Sequence, residues 1–308
     1  MSLAPSNTLH PKRRRGINNP FTGYGFVALW MIGLLAFTAF PLIFSFVISF
    51  FRWGLLDTPE FVGFRNYIQM FTIDRMFRQS LRVTLTYSAF AVPLSLIFAL
   101  AIAMILNIKI KGQSIFRTLY YLPSVIAGVA VSVVWMWMLQ PDFGILNQFL
   151  SFFGIDGPDW LGDPNWALTA MIVVAIWSTS GPQVIIYLAG LKNIPQDLYE
   201  AASIDGAGRW YRFTHVTIPM LTPTIFFNLI MGIIGSLSTF TQAFVMTDGG
   251  PANSTLFYAL YLYNRAFRDL QMGYAAAMSW VLFLIIVFFT VLVFKSSVLW
   301  VHYEAERK

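Results

Sequence analysis

Six stretches of this chain run for twenty residues or more without Asp, Glu, Lys, Arg or His: 26–51, 83–107, 119–139, 166–190, 220–246 and 274–294. A transmembrane helix needs about 20 consecutive, mostly apolar residues, because the hydrocarbon layer is about 30 Å thick and offers backbone groups no water. The pattern therefore predicts an all-α integral membrane protein with six transmembrane helices. Composition agrees: 57% of the residues are hydrophobic and only 11% charged, against about 25% charged in soluble domains. The first stretch is too long for a signal-peptide core and lacks a small-residue cleavage site, so it reads as a span.

Basic residues set the orientation. Lys12, Arg13, Arg14 and Arg15 precede the first span; Lys109, Lys111 and Arg117 follow the second; Lys192, Arg209 and Arg212 follow the fourth; Lys295, Arg307 and Lys308 follow the sixth. These are thirteen of the twenty Lys and Arg residues. The positive-inside rule places them, and both termini, in the cytoplasm of a prokaryotic inner-membrane protein. The net charge of +6 is divided among these loops and forms no nucleic-acid-binding face. Seven arginines oppose the trend: Arg265 and Arg268 follow the fifth span, and Arg52, Arg65, Arg75, Arg78 and Arg82 lie in the first outer segment. Phe64, Tyr67, Ile68 and Phe71 recur among them at helical spacing, which predicts an amphipathic helix over 64–79 on the outer membrane surface; an ordinary packed loop helix would show the same pattern. Pro41, Pro93, Pro123, Pro182 and Pro223 lie inside five of the spans. They suit helices bent around a cavity, although proline is in any case commoner in membrane helices.

Several chemistries are excluded. With no cysteine there is no disulfide, thiolate metal site or cysteine nucleophile. There is no phosphate-binding GxxxxGK[ST] and no HExxH, and His10, His215 and His302 are scattered. Neither an enzyme nor a metal site is expected. Proton-coupled transporters carry ionisable residues within the membrane; these spans have none. Sodium coupling through carbonyls and hydroxyls would survive that argument.

The segment 191–219 reads LKNIPQDLYEAASIDGAGRWYRFTHVTIP. Asn193 can cap a short helix with Pro195 and Asp197 in its first turn. Leu198, Tyr199, Ala201, Ala202 and Ile204 give that helix an apolar side, and Gly206 and Gly208 can end it. Within it, Glu200-Ala201-Ala202, Gly206 and Val216-Thr217-Ile218-Pro219 fall at the spacing EAA-x3-G-x9-I-x-LP. This resembles the EAA loop of binding-protein-dependent ABC importer permeases, with Val216 for Ile and Ile218 for Leu. Two further stretches resemble segments of the maltose/glycerol-phosphate group of carbohydrate importers: Phe61-Val62-Gly63-Phe64-Arg65-Asn66-Tyr67 with Thr84, where Arg82 stands for the usual Asn, and Thr247-Asp248-Gly249-Gly250-Pro251 with Ser254-Thr255. The added N-terminal span and basic tail resemble the first of that group's two permease subunits.

The resemblance implies the type I ABC importer permease fold. It divides the chain into a basic tail (1–25), a peripheral first span (26–51), an outer segment (52–82), a five-span core (83–294) and a C-terminal tail (295–308). It also implies partners: a second permease subunit forming a heterodimer, a dimer of ATPase subunits that bind ATP and Mg, an extracytoplasmic solute-binding protein, and surrounding lipid. Glu200, Ala201, Ala202, Asp205 and Gly206 are then the contact to the ATPase. The cargo would be a sugar or oligosaccharide. Neutral sugars are held by ring stacking and by hydroxyl or amide hydrogen bonds. In the family spans 4 and 5 supply most of the cavity, so Trp177, Ser178, Gln183 and Tyr187, with Asn228, Ser236, Thr239 and Gln242, are the candidates. Such residues also serve as interhelical glue. Trp135 and Trp137 suit an interfacial belt. Other cargoes (phosphate esters, polyamines, peptides) and a stand-alone secondary transporter are the alternatives.

Overall fold

The computed structural model describes residues 20–54, 57–108 and 112–302. The basic residues Lys12–Arg15, Lys109, Lys111, Arg307 and Lys308 lie outside them. Helix α1 (Pro20–Leu34) continues through a π-helical turn at Leu35–Ala39 into α2 (Phe40–Ile48), which Pro41 opens from the first helical turn, where its missing N–H is harmless. A two-residue antiparallel pair, Phe51–Arg52 with Glu60–Phe61, closes the following loop. Then come α3 (Arg65–Thr72), α4 (Arg75–Asn107), α5 (Gln113–Val125), α6 (Gly128–Met138), α7 (Ile145–Phe152), α8 (Ala167–Asn193) and α9 (Gln196–Ile204). Helix α10 (Arg209–Arg212) joins α11 (Ile218–Leu237) through a second π-helical turn, and α12 (Thr241–Met246), α13 (Tyr258–Tyr263) and α14 (Met272–Trp300) complete the chain.

Among the described residues five runs are long and apolar enough to cross a membrane: Val27–Ile48, Arg75–Asn107, Ala167–Asn193, Arg209–Leu237 and Met272–Trp300. The sixth expected span is the pair α5 and α6, bent by 100°. The expected helix over 64–79 is two elements. Asp74 adopts an extended backbone, and its carboxylate accepts from the N–H groups of Met76 and Phe77. It thereby caps α4, and the residues from Arg75 onward belong to the second span.

Helix α4 packs along α8, with α11 beside both. Their contact is close because small residues sit in it: Ala99, Ala103 and Ala175 are almost fully buried. A Cβ on Gly190 would lie 2.6 Å from Thr224 Oγ1 and 2.8 Å from Leu221 Cδ2; membrane helices associate through such close backbone approaches. The first span is peripheral. Its side chains face outward along most of its length, including Phe37, Phe40 and Ile43, and it reaches the bundle through α14. Leu106 lies in one apolar cluster with Leu191 and Ile194, whereas Phe77 and Met70 cluster with Met171, Tyr258 and Tyr274. The Asp74 end of the bundle is therefore opposite the Glu200 loop.

Candidate functional site

Two features stand apart from helix packing: an exposed helical loop at one end of the bundle, and a cavity within it.

The loop is tied down at both of its margins. Leu191 and Ile194 are buried beside Leu106 and Leu221. The hydroxyls of Tyr199 and Thr217 lie 2.9 Å apart, fixing α9 to the root of α11. The helix does not start as the sequence suggested. Asn193 is the last residue of α8, and Pro195 occupies the cap with no side-chain hydrogen bond. Proline disfavours helix in the residue before it, so α8 ends and α9 begins around this X-Pro step. The end of α9 is a Schellman motif: Ala207 N–H donates to Ala202 O (2.9 Å) and Gly206 N–H to Ser203 O (3.1 Å). Gly206 takes φ +77 there, a conformation that disfavours side chains bearing Cβ. Gly208 plays another part, capping α10 in an extended conformation. Glu200, Ala201, Asp205 and Gly206 are exposed, and Ala202 is half-buried. The apolar side is divided: Tyr199 and Ala202 pack inward, while Leu198, Ala201 and Ile204 face out. Ile204 is 86% exposed and Trp210 74%.

The cavity lies among α4, the α5–α6 bend, α8 and the α11–α12 break, and has a volume of about 660 Å³. Both breaks form its wall. Ile126 and Ala127 have extended backbones, and three residues separate the end of α11 at Leu237 from the start of α12 at Thr241. Non-helical backbone at membrane depth is tolerated where it is buried in protein or lines a cavity. Six of the eight residues singled out in spans 4 and 5 line this space: Ser178, Gln183, Asn228, Ser236, Thr239 and Gln242. Trp177 and Tyr187 do not. Trp177 packs edge-on against Trp135, ring centres 5.5 Å apart. Tyr187 is fully buried on the face of α8 that packs with Leu96 and Leu221.

The polar lining residues differ in how they are committed. Gln242 donates to Met171 O (2.8 Å) and accepts from Tyr87 OH (3.4 Å), stapling α12 to α8 and α4. Ser178, Ser236 and Thr239 donate to helix carbonyls within their own turns, which leaves their lone pairs for other donors. Gln183 Oε1 and Asn228 Nδ2 are buried with no hydrogen-bond partner among the described residues. Each such orphan costs roughly 1–3 kcal/mol. No Asp, Glu, Lys, Arg or His is among the lining residues. Sequence reasoning missed Tyr87 and Ser95 on α4, Ser132 on α6, and Thr179 and Thr241. The first two were findable: Tyr87, Ala91 and Ser95 repeat every four residues along one small, polar helix face.

Residues 109–299 fit the family described as "Binding-protein-dependent transport system inner membrane component". A probable ABC transporter permease protein, YesP of Bacillus subtilis, is 46% identical over 302 residues, covering 96% of this chain and 97% of that one. The lactose transport system permease protein LacF of Rhizobium radiobacter is 38% identical, covering 89% and 93%. The crystal structure of a bacterial ABC transporter involved in the import of the acidic polysaccharide alginate shares the fold, with a TM-score of 0.78 at 24% identity over 90% of this chain and 95% of that one. The chain therefore belongs to the family of binding-protein-dependent transport system inner-membrane components, as a multi-pass permease subunit of an ABC importer.

Proposed function

We propose that this chain is one half of the translocation pathway for a neutral sugar or oligosaccharide, paired with a second permease subunit and driven by two ATPase subunits that bind ATP and Mg. The observation that carries the reading is the exposed α9 with its Schellman turn, held rigidly to the roots of α8 and α11 by Leu191, Ile194 and the Tyr199–Thr217 contact. A lever of this kind transmits displacement to two of the helices that line the cavity. Glu200, Ala201, Ala202, Asp205 and Gly206 form the docking surface; Glu200 supplies a charge for a cationic partner, and the small alanines allow close approach. ATP stabilises a closed ATPase pair, which biases the permease pair toward one of two rigid-body packings. Both termini face the cytoplasm, and an extracytoplasmic binding protein delivers the cargo.

The cargo class rests on the cavity and on the relatives. Its volume falls in the range of small-molecule sites, and its polar groups are amides and hydroxyls without a formal charge. That lining suits a polyhydroxylated neutral molecule better than a phosphate ester or a polyamine. LacF is named for lactose, and a permease of Thermococcus litoralis for trehalose and maltose. The alginate transporter has been seen with a ligand-bound periplasmic protein, which supports a binding-protein partner.

The test is uptake of radiolabelled lactose, maltose and trehalose into proteoliposomes holding the assembled importer, with ATP inside or absent. Uptake of at least one sugar is expected only with ATP. Gly206→Asp should preserve assembly and ATP hydrolysis while lowering uptake at least tenfold, because Asp is among the few residues that tolerate the left-handed φ of +77, and its side chain meets nothing within 4 Å in its own chain and protrudes into the docking surface. Uptake without nucleotide would overturn the importer reading. Normal uptake by Gly206→Asp would overturn the docking role of this turn.

A further inference from the structure

Helix α3 has three faces. At about 100° per residue, Asn66, Tyr67 and Met70 turn toward the protein. Asn66 Nδ2 donates to Ser49 O (2.7 Å) and Phe51 O (2.9 Å), Tyr67 OH lies 2.7 Å from Ser49 Oγ, and Met70 is fully buried. A second face, Arg65, Gln69 and Thr72, is polar and exposed. The third face, Phe64, Ile68 and Phe71, is apolar and equally exposed, at 67%, 60% and 57%. A helix bathed in water on both free sides would have no reason to keep them so different.

Two observations identify what covers the apolar face. The first is continuity. Phe46 stacks edge-on with Phe50 at 5.1 Å, and Phe50 with Phe64 at 5.3 Å, so the stripe extends the outward-facing apolar surface of the first span without a gap. The second is charge. Arg75, Arg78 and Arg82 lie on the first turns of α4, spaced three and four apart, exposed and in no ion pair among the described residues. With 33 residues, α4 is about 50 Å long, whereas the hydrocarbon layer is about 30 Å thick. The charge-free part begins at Val83, so Arg82 and Arg78 stand just beyond the hydrocarbon, at the depth of lipid phosphates. Guanidinium groups bind phosphate bidentately.

We propose that α3 is an in-plane membrane anchor at the bundle end opposite the Glu200 loop. Phe64, Ile68 and Phe71 insert at the boundary between acyl chains and headgroups, and Arg75, Arg78 and Arg82 bind the phosphates of anionic phospholipid in that leaflet. The anchor holds the Asp74 end of α4 at a fixed depth while the opposite end of the bundle moves.

The chain has no cysteine, so single-cysteine nitroxide scanning of the complex needs cysteines removed only from the partner subunits. The assembled importer is placed in nanodiscs of equal parts phosphatidylcholine and phosphatidylglycerol. Labels on Phe64→Cys, Ile68→Cys and Phe71→Cys should collide with oxygen several-fold more than with a water-soluble nickel chelate. Labels on Arg65→Cys, Gln69→Cys and Thr72→Cys should show the reverse. Chelate preference at the first three positions would overturn the proposal by showing an aqueous face. Exclusion of both reagents would overturn it by showing a protein partner on the stripe. Wild-type complex should also melt several degrees higher with phosphatidylglycerol present than in phosphatidylcholine alone, and the Arg75, Arg78 and Arg82→Gln triple variant should lose that gain. A triple variant that keeps the gain would remove the arginines from the lipid site.

Discussion

At the scale of single residues, two unpaired amides in the cavity and one buried carboxylate outside it carry opposite kinds of information. Gln183 and Asn228 leave an acceptor and a donor unpaired, which is unfavourable for the fold and useful to a hydroxylated ligand. Asn228→Leu and Gln183→Met should hold or raise the melting temperature of the complex and lower sugar uptake at least tenfold. Interhelical glue predicts the contrary, a loss of about 1–3 kcal/mol of stability. Asp74 is the reverse case. Its carboxylate accepts from Tyr261 OH (2.5 Å) and Tyr274 OH (2.6 Å), with Arg265 3.5 Å away, joining α4, α13 and α14. Burial alone would raise its pKa; the two tyrosine hydroxyls, the Phe77 N–H and the Arg265 charge outweigh that and hold it below the ordinary value of 3.8. A depressed folded-state pKa stabilises above the ordinary value, and the stabilisation is lost as pH falls through the depressed one. Asp74→Ala should therefore destabilise by about 1–3 kcal/mol at neutral pH, since it leaves the hydroxyls of Tyr261 and Tyr274 without their acceptor while Arg265 keeps Asp269 at 3.1 Å. Asp74→Asn should blunt the melting-temperature loss as pH falls below the ordinary carboxylate range. Thermal scans across pH check both.

At the scale of elements, hydropathy reports length and composition but not direction. The stretch 119–139 has the apolarity of one span, yet the backbone turns by 100° within it. Pro123 sits inside α5 and does not by itself mark the turn, which falls at Ile126 and Ala127. Nothing local in those two residues demands an extended backbone; packing against α8 and α12 does. The division of the segment 64–79 was closer to legible, because Asp74 is a good cap residue followed by a charge-flanked helix. The misplaced cap at Asn193 came from weighing a side-chain acceptor above the conformational restriction that Pro195 imposes on its neighbour. Close helix crossings are legible only in retrospect. Gly181 reads as an ordinary span glycine, but a Cβ there would lie 2.7 Å from Tyr120 O. Gly181→Ala should force α5 and α8 apart and cost about 1–3 kcal/mol, seen as a lower melting temperature, while Gly235→Ala, which meets nothing within 4 Å, should be near neutral.

At the scale of the whole molecule, membrane class, helix count and the position of the loop followed from charge-free length and motif spacing. Six of eight proposed lining residues share one cavity because they lie on spans 4 and 5, which the family resemblance implied supply most of it. The contributions of α4 and α6 escaped because they depend on which faces of distant helices converge. Site roles and orientation rest on the loop itself: if the Glu200 helix is the contact through which nucleotide energy reaches the cavity, it must face the cytosol and be covered by the ATPase. The most direct measurement uses the cysteine-free chain with Ala201→Cys and a membrane-impermeant maleimide, applied to right-side-out and inverted vesicles with and without the ATPase bound. Labelling is expected only in inverted vesicles, with protection when the ATPase is present. Labelling from the outer face, or unchanged labelling with the ATPase bound, would contradict the coupling role of this helix.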